Sequence, residues 1–534
     1  MWKKVLIGTF ILLITLATAT YFYLPTFASN KIYTALESAD SVSFSKIYLN
    51  LYDGDIVIHD FYLSDSSGSV LKVPLHTEVQ SFRLRGLNVS ELLLNKRLKL
   101  DTLFIDKGIL QVLIPKKDTS TKQTSNGKQV LKSIQIGHTT IDSLALNLLF
   151  DLIDSTDRTS AMLNFTATDF YVPMANLLQS QGQNIVLNFK NIYSRLKDRV
   201  GYIDIDEFDF NKGHKKLRIN GFKLRQKLST RQYAKHFGFD KLHAEVDVDS
   251  IVVEEMPVRV LDILEKLELT RINIYKPVGK LYKDKRFPHP SKVQKFPFEA
   301  ISEIDFPILI DTVNIIDGEI WFKELTRNDG QTAKLDLTSI NAQVLNITSL
   351  GPNKQSDWTE VKGKVVFYHQ LPFDFSWKFD LRKKGTSFVF DGKIGSAPLS
   401  VLNPFLLNSA NARFKSGYLE GGRLLAEGNK ISGEGSLKFN YSKMKIELLE
   451  KTSHEKDFGL NLVGGTANIL IRNNNRKDKK EVVGAVYAEP AQNKFIVVYL
   501  WRLLASGMQD IIIGSKNQSK SEDRRNEYIK QKER

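Results

Sequence analysis

Nine histidines and 60 aspartates and glutamates are the residues from which this 534-residue chain could build a metal or acid–base site. His59, His138 and His243 stand singly in strand-like stretches, with no partner at metal-ligand spacing. The run Asp204, Asp206, Glu207 and Asp209 reads as the polar side of a strand, because alternate residues face one way. None of the Gly-Lys pairs at Gly127, Gly279, Gly363 and Gly392 is followed by Ser or Thr, so no phosphate-binding P-loop exists. There is no G-x-S-x-G, H-E-x-x-H or G-x-G-x-x-G, and the absence of cysteine removes thiol nucleophiles and thiolate metal sites. The expectation is a protein without catalytic residues, metal or cofactor. An acid pair acting on a glycan stays open, since catalytic carboxylates converge from distant positions.

With 42% hydrophobic and 25% charged residues, the chain is neither disordered nor collagenous. A net charge of +15 raises nucleic acid as a partner, but most basic residues alternate with apolar ones, as on a solvated strand face. The denser clusters, Lys276 to Lys295 and Arg472 to Lys480, read as exposed loops, with contact to anionic lipid headgroups as the rival. No nucleic-acid partner is expected.

The uncharged run Val5 to Leu24 is about as long as a membrane-spanning helix, with Val5, Leu6, Ile7, Phe10, Ile11, Leu12, Leu13, Ile14, Leu16 and Leu24 as its apolar body. Its length favours an anchor over a cleaved signal peptide, whose apolar core is shorter; Ala17-Thr18-Ala19 and Thr26-Phe27-Ala28 keep the signal peptide in play. Lys3 and Lys4 precede the run, which places the N-terminus in the cytoplasm and the rest of the chain outside it.

Beyond this run the dominant period is two, the signature of strands with one buried and one wet face. In FDFSWKFDL, residues Phe373, Phe375, Trp377, Phe379 and Leu381 share a face; Phe388/Phe390 and Leu437/Phe439/Tyr441 follow the same rule. Between Ile203/Ile205 and Phe208/Phe210 the phase slips, as at a bulge. Short polar turns predict antiparallel meanders, with few helices: Ser29 to Ala39, Asn88 to Asn95, Pro257 to Leu267, Pro398 to Leu407 and Phe495 to Ile513. The segment LKLDTLFIDKG aligns without gaps on LELTRINIYKP and ILIDTVNIIDG. Leu98, Leu100, Leu103 and Ile105 then match Leu267, Leu269, Ile272 and Ile274, and also Ile308, Ile310, Val313 and Ile315. A divergent helix–strand repeat of this kind suits a quasi-one-dimensional fold.

These signals divide the chain into an anchor (1–28), a helix plus the first strands (29–115), a middle strand segment with loops (116–300), a distal strand segment (301–492), an amphipathic helix (493–514) and a disordered basic tail (515–534). Arg502 and Asp510 favour an interfacial or capping role for the 493–514 helix over a second span.

The N-terminal run, the stretches GDIVIHDFYLSDSSG and LLLNKRLKLDTLFIDKGIL, and the distal VLNPFLL…FKSGYLEGG…ISGEGSLKFNYSKMKIELLE block resemble the AsmA-like proteins of diderm bacteria. The resemblance covers roughly residues 1–115 and 360–514. It implies a mainly β protein, an elongated curled antiparallel sheet forming a trough with a few short helices and one N-terminal transmembrane helix. It further implies a single-pass inner-membrane protein, bulk periplasmic, carrying phospholipid acyl chains towards the outer membrane, with an outer-membrane or periplasmic protein at its distal end. The lining would be Leu98, Leu100, Leu103, Ile105, Ile310, Val313, Ile315, Phe373, Phe375, Trp377, Phe379, Phe388, Phe390, Leu437, Phe439 and Tyr441. Each of these is equally readable as ordinary core, since apolar alternation reports burial and not what covers the face. The alternative function is a non-catalytic envelope scaffold or assembly factor for outer-membrane proteins.

Overall fold

The structure, a computed structural model of the chain, describes residues 34, 41–50, 52–65, 74–113, 131–150, 158–174, 181–196, 198, 200–255, 266–325, 332–353, 356–409, 412–448, 472–478 and 481–513. The anchor and signal-peptide readings of the first 28 residues, the tail, and residues 257–265 of the helix expected at Pro257 to Leu267 lie outside them, and Leu267 itself opens a strand. The described chain is mainly β with short helices, and it divides into two compact units, Met1–Gly221 with Met256–Asp262, and Phe222–Glu255 with Ile263–Arg534.

In unit one, β1 (Val42–Ser43) and β2 (Lys46–Asn50) pair antiparallel with β3 (Asp55–Asp65), β3 with β4 (Leu75–Arg85), and β4 with β5 (Arg97–Leu113). The helix α1 (Val89–Asn95) precedes β5 and is capped by Asn88, whose side chain accepts from the Glu91 N–H at 3.0 Å. Next along the sheet come β6 (Ser133–Leu149), β7 (Arg158–Pro173), β8 (Gln181–Arg195) and β9 (Gly201–Asn211). Strand β8 meets β9 without a register shift, so the slip expected between Ile205 and Phe208 inserts no residue there. The boundary between the units falls inside β10 (Lys216–Gln226).

Unit two opens with α2 (Thr230–Phe237) and β11 (His243–Glu254), which pairs with both β12 (Leu267–Tyr275) and β13 (Val278–Asp284). After α3 (Pro297–Ser302) come β14 (Ile308–Leu325), β15 (Thr332–Thr348), β16 (Trp358–Phe367), β17 (Leu371–Asp380) and β18 (Ser387–Ile394), an antiparallel series. The short β19 (Ala397–Pro398) leads into α4 (Asn403–Ser409), and β20 (Ala412–Asn429) pairs with β18, β19 and β21 (Gly433–Leu448). The series ends with β22 (Gly484–Ala488) on β21 and α5 (Ile496–Ile513).

The all-antiparallel expectation needs correction. Strands β5 and β6 are parallel, and β12 and β13 both run parallel to β14. Within each unit the strands follow chain order across the sheet, a solenoid-like progression rather than an open groove. The repeat in the sequence proves to be a pairing rule: Leu267, Leu269, Ile272 and Ile274 lie beside Ile308, Ile310, Val313 and Ile315, in the register of the gapless alignment. Strand β6 is the unrecognised parallel partner of the first copy, with Leu98 beside Ile134, Leu100 beside Ile136 and Ile105 beside Ile141. At the same place in β5, β6 and β14, and just past the end of β12, a non-glycine residue takes the left-handed conformation: Lys107 (φ 45°), Ser143 (φ 56°), Asp317 (φ 56°) and Lys276 (φ 46°). Such bulges bend a strand and tighten its twist.

The stretch Lys276 to Lys295, expected as a basic loop, contains β13 and spends much of its charge internally. Lys283 pairs with Asp240 at 3.2 Å, Lys285 with Glu324 at 2.7 Å and Arg286 with Asp284 at 2.7 Å; Lys295 pairs with Glu303. In the second basic segment Arg472 is tied to the carbonyl of Ile511, and Arg476 pairs with Asp478.

Candidate apolar binding face

Strand pairing converts period-two patterns into ribbons that cross the sheet. In unit one, Ile47, Ile58, Phe82, Ile105, Ile141, Phe165, Leu187 and Phe210 stand side by side from β2 to β9. A second row, Phe61, Val79, Gly108, Leu144, Leu163, Phe189 and Phe208, lies on the same face, because Leu163 and Phe165, and likewise Leu187 and Phe189, are two residues apart. The opposite face carries Ser64, His76, Gln111, Asn147, Ser160, Tyr193 and Asp204 in one row.

Helix α1 packs at one end of the apolar face. Leu100, at 3% exposure, joins Ile56, Ile58, Leu87 and Ile136 in a small core, with Leu98, Leu103, Val89 and Leu92 against it. Away from that core Ile105, Ile141, Phe165 and Leu187 are only half-buried. Of these, Ile105 alone was singled out from the sequence; Thr139, which takes the place of Leu103 in β6, breaks the alternation that marked the other copies.

Unit two carries two longer rows. One is Ile251, Ile274, Ile315, Ala342, Gly363, Phe375, Gly392, Leu424, Leu437 and Gly484; the other is Val253, Ile272, Val313, Val344, Val361, Trp377, Phe390, Ala426, Gly435 and Val486. The glycines make room for rings. A Cβ on Gly363 would sit 2.8 Å from Phe375 Cζ, and one on Gly392 2.8 Å from Phe373 Cζ. Phe373, Phe375 and Phe390 stack, with centroids 6.0 to 6.5 Å apart.

At the distal end this face is covered by protein. Phe379, Phe388, Phe390, Leu437, Phe439 and Tyr441 are buried in one core with Tyr499, Leu503, Met508, Ile511 and Ile512 of α5, and Phe373, Phe375 and Trp377 pack against it half-buried. Helix α5 approaches closely because a Cβ on Gly484 would lie 2.4 Å from the Gly507 carbonyl oxygen. Ile310 is buried and Val313 and Ile315 are half-buried, outside that core.

The polar residues of α5 close the sheet edge. Asp510 accepts from the Ala485 N–H at 2.8 Å, Ser506 from the Tyr487 N–H at 3.1 Å, and Arg502 donates to the Glu489 carbonyl at 3.1 Å. These bonds occupy donors that an edge strand would expose. Among the described residues α5 is the one helix long and apolar enough to cross a membrane, and it packs against β21 and β22.

Titratable groups form ties. The buried Asp240 accepts from Lys283 and, at 2.7 Å, pairs with His289 Nδ1, while His289 Nε2 contacts the Asn493 carbonyl at 2.8 Å; the cluster fastens the segment before α5. In the acidic run of β9, the Asn188 amide 2.8 Å from Glu207 holds that carboxyl below the usual range. No group of three or more His, Asp or Glu able to hold a metal occurs among the described residues. No protein-family model matches the chain, and no curated protein matches it.

Proposed function

We propose that this chain is an AsmA-like lipid-binding and lipid-transfer protein, in which the apolar ribbon of unit one takes phospholipid acyl chains. The observation that carries the reading is the eight-residue row from Ile47 to Phe210, which is only half-buried along Ile105, Ile141, Phe165 and Leu187. Eight strands at about 4.8 Å spacing make a strip about 34 Å long. That exceeds the roughly 30 Å hydrocarbon core of a bilayer, which holds two opposed acyl chains. Each CH₂ kept from water is worth roughly 0.8 kcal/mol, so extracting a whole phospholipid unaided costs on the order of 20 kcal/mol. A continuous apolar strip lowers that barrier at every step. On this reading the Val5 to Leu24 run anchors the chain in an inner membrane, the described units lie in the periplasm, and the cargo moves between inner and outer membranes.

A photoreactive phenylalanine analogue tests the face directly. Placed at Phe165 in the full chain and irradiated in cells, it should yield phospholipid adducts by mass spectrometry; placed at Tyr193 on the polar face, it should not. Equal labelling, or none at Phe165, overturns the assignment.

A second reading, a non-catalytic envelope scaffold or assembly factor, draws support from unit two, whose aromatic face is filled by its own α5. A stable protein partner with no bound lipid is its expected signature.

A further inference from the structure

Single exposed apolar side chains are ordinary on a protein surface, but a cluster of them marks a place of interaction. Of the six large apolar side chains more than half exposed among the described residues, four belong to unit two segments that hydrogen bonds tie together: Val293, Ile431, Phe495 and Val497, at 51–68% exposure. Val293 lies on the stretch that leads into α3, Ile431 in the turn between β20 and β21, and Phe495 and Val497 flank Ile496 at the start of α5. Gln294 donates its N–H to the Gln492 carbonyl at 2.7 Å, the Asn493 amide donates to the Pro290 carbonyl at 3.2 Å, and Lys430 reaches the Gln294 carbonyl at 3.0 Å. Asn429 fastens the turn itself, its side chain accepting from the Ile431 N–H at 2.8 Å.

Two features indicate what this surface meets. The first is that α5 is apolar on more than its buried side. Ile496, Tyr499 and Leu503 enter the core, yet Val497 and, one turn on, Trp501 are apolar too, and Phe495 to Trp501 holds no charged residue. A helix apolar all round belongs inside a protein or in lipid, and only 39% of this one is buried although it is long and apolar enough to cross a membrane. The second feature is charge. Residues 287–298, 428–433 and 490–501, which carry the four side chains, contribute Lys292, Lys295, Lys430 and Lys494 and no carboxylate. Lys430 pairs with Glu299 and Lys295 with Glu303. The nearest strand acids stand behind: Glu427 and Glu434 face each other one pair farther from the turn, and Glu489 accepts from the Tyr487 hydroxyl at 3.2 Å. Apolar tips among lysines match a phospholipid surface, which offers phosphates above an acyl boundary.

We propose that this surface docks unit two on a phospholipid bilayer, with Val293, Ile431, Phe495 and Val497 entering the interfacial layer and Lys292 and Lys494 among the headgroup phosphates. Helix α5 keeps its polar ties to β22 while docked, so it lies on the bilayer rather than across it. The docking does not rest on acyl-chain binding by the ribbon of unit one.

The chain contains no cysteine, so one introduced cysteine can carry an environment-sensitive fluorophore at a single position. The full chain is mixed with phosphatidylcholine–phosphatidylglycerol vesicles that include a nitroxide-labelled acyl chain. Probes at Ile431→Cys and Val497→Cys should shift to the blue and lose at least half their emission. A probe at Lys445→Cys, towards the other end of β21, should do neither, which separates docking of this surface from attachment through any other part of the chain. Adding Ile431→Glu and Phe495→Glu to the Val497→Cys chain should reduce the quenching at least fivefold with an unchanged near-UV spectrum. Unquenched probes at Ile431 and Val497, which a protein partner as occupant would give, overturn the proposal; so does equal quenching at Lys445, or full quenching in the double glutamate variant.

Discussion

Asn341 on β15 accepts a hydrogen bond from the backbone N–H of Asp317 on β14 at 3.1 Å, at the point where Asp317 turns left-handed. The same relationship recurs in unit one, where Asn164 on β7 accepts from the Ser143 N–H on β6 at 3.0 Å. In both places a parallel strand pair is followed by an antiparallel partner whose asparagine satisfies the donor that the bulge removes from the ladder.

Removing these acceptors should therefore cost stability in proportion to burial. Asn164→Ala, at the more buried site, is expected to destabilise unit one by about 1–3 kcal/mol, and Asn341→Ala, where water can substitute, by about 1 kcal/mol or less. Amide hydrogen exchange in β6–β7 and in β14–β15 reads each effect locally.

The left-handed backbone at Lys107 and Lys276 makes a second prediction. A β-branched side chain is strained there, so Lys107→Val should destabilise by about 1–2 kcal/mol, whereas Lys107→Gly should be tolerated within about 1 kcal/mol. Chemical denaturation of the two variants checks the order.

Uncapping β22 should convert a closed edge into a sticky one. Asp510→Ala leaves the Ala485 N–H without its acceptor and Ser506→Ala does the same for Tyr487. Lost exchange protection in β22 and concentration-dependent association by light scattering are the expected results.

Two groups give stability opposite pH dependences. The Arg382 guanidinium hydrogen-bonds the buried Asp380 and holds its carboxyl below the usual range, as Arg286 does for Asp284. A depressed folded-state value means that this stability is present above the unfolded carboxylate value of about 3.9 and is lost as pH falls through the folded one. Asp380→Asn should remove part of the acid sensitivity in a denaturation series from pH 6 downwards. Burial raises the Tyr441 hydroxyl to about 12, and it donates to the Arg472 carbonyl at 2.8 Å. Its contribution is complete below the unfolded value of about 10 and disappears as pH rises through the folded one, a loss that Tyr441→Phe should flatten.

Much of the architecture was legible in particular residues. Period two in Phe373 to Phe379 and in Leu437 to Tyr441 identified strands and their apolar faces, Asn88 marked the start of α1, and the gapless match of Leu267–Ile274 to Ile308–Ile315 is the register in which β12 and β14 pair. These are local or translational patterns, carried by side-chain type and spacing alone. What covers each face was not legible. Alternation records that Phe388 and Ile141 avoid water equally, yet Phe388 meets Tyr499 of α5, more than a hundred residues away in the chain, while Ile141 is only half-buried. The parallel crossings, the use of Asp510 and Ser506 to cap β22, and the internal pairing of Lys283, Lys285 and Arg286 likewise depend on which distant segments meet. Sequence periodicity determined which side of each strand is dry; only tertiary packing decided whether protein fills that side or leaves it half-exposed, because burial is a local demand and its fulfilment is not.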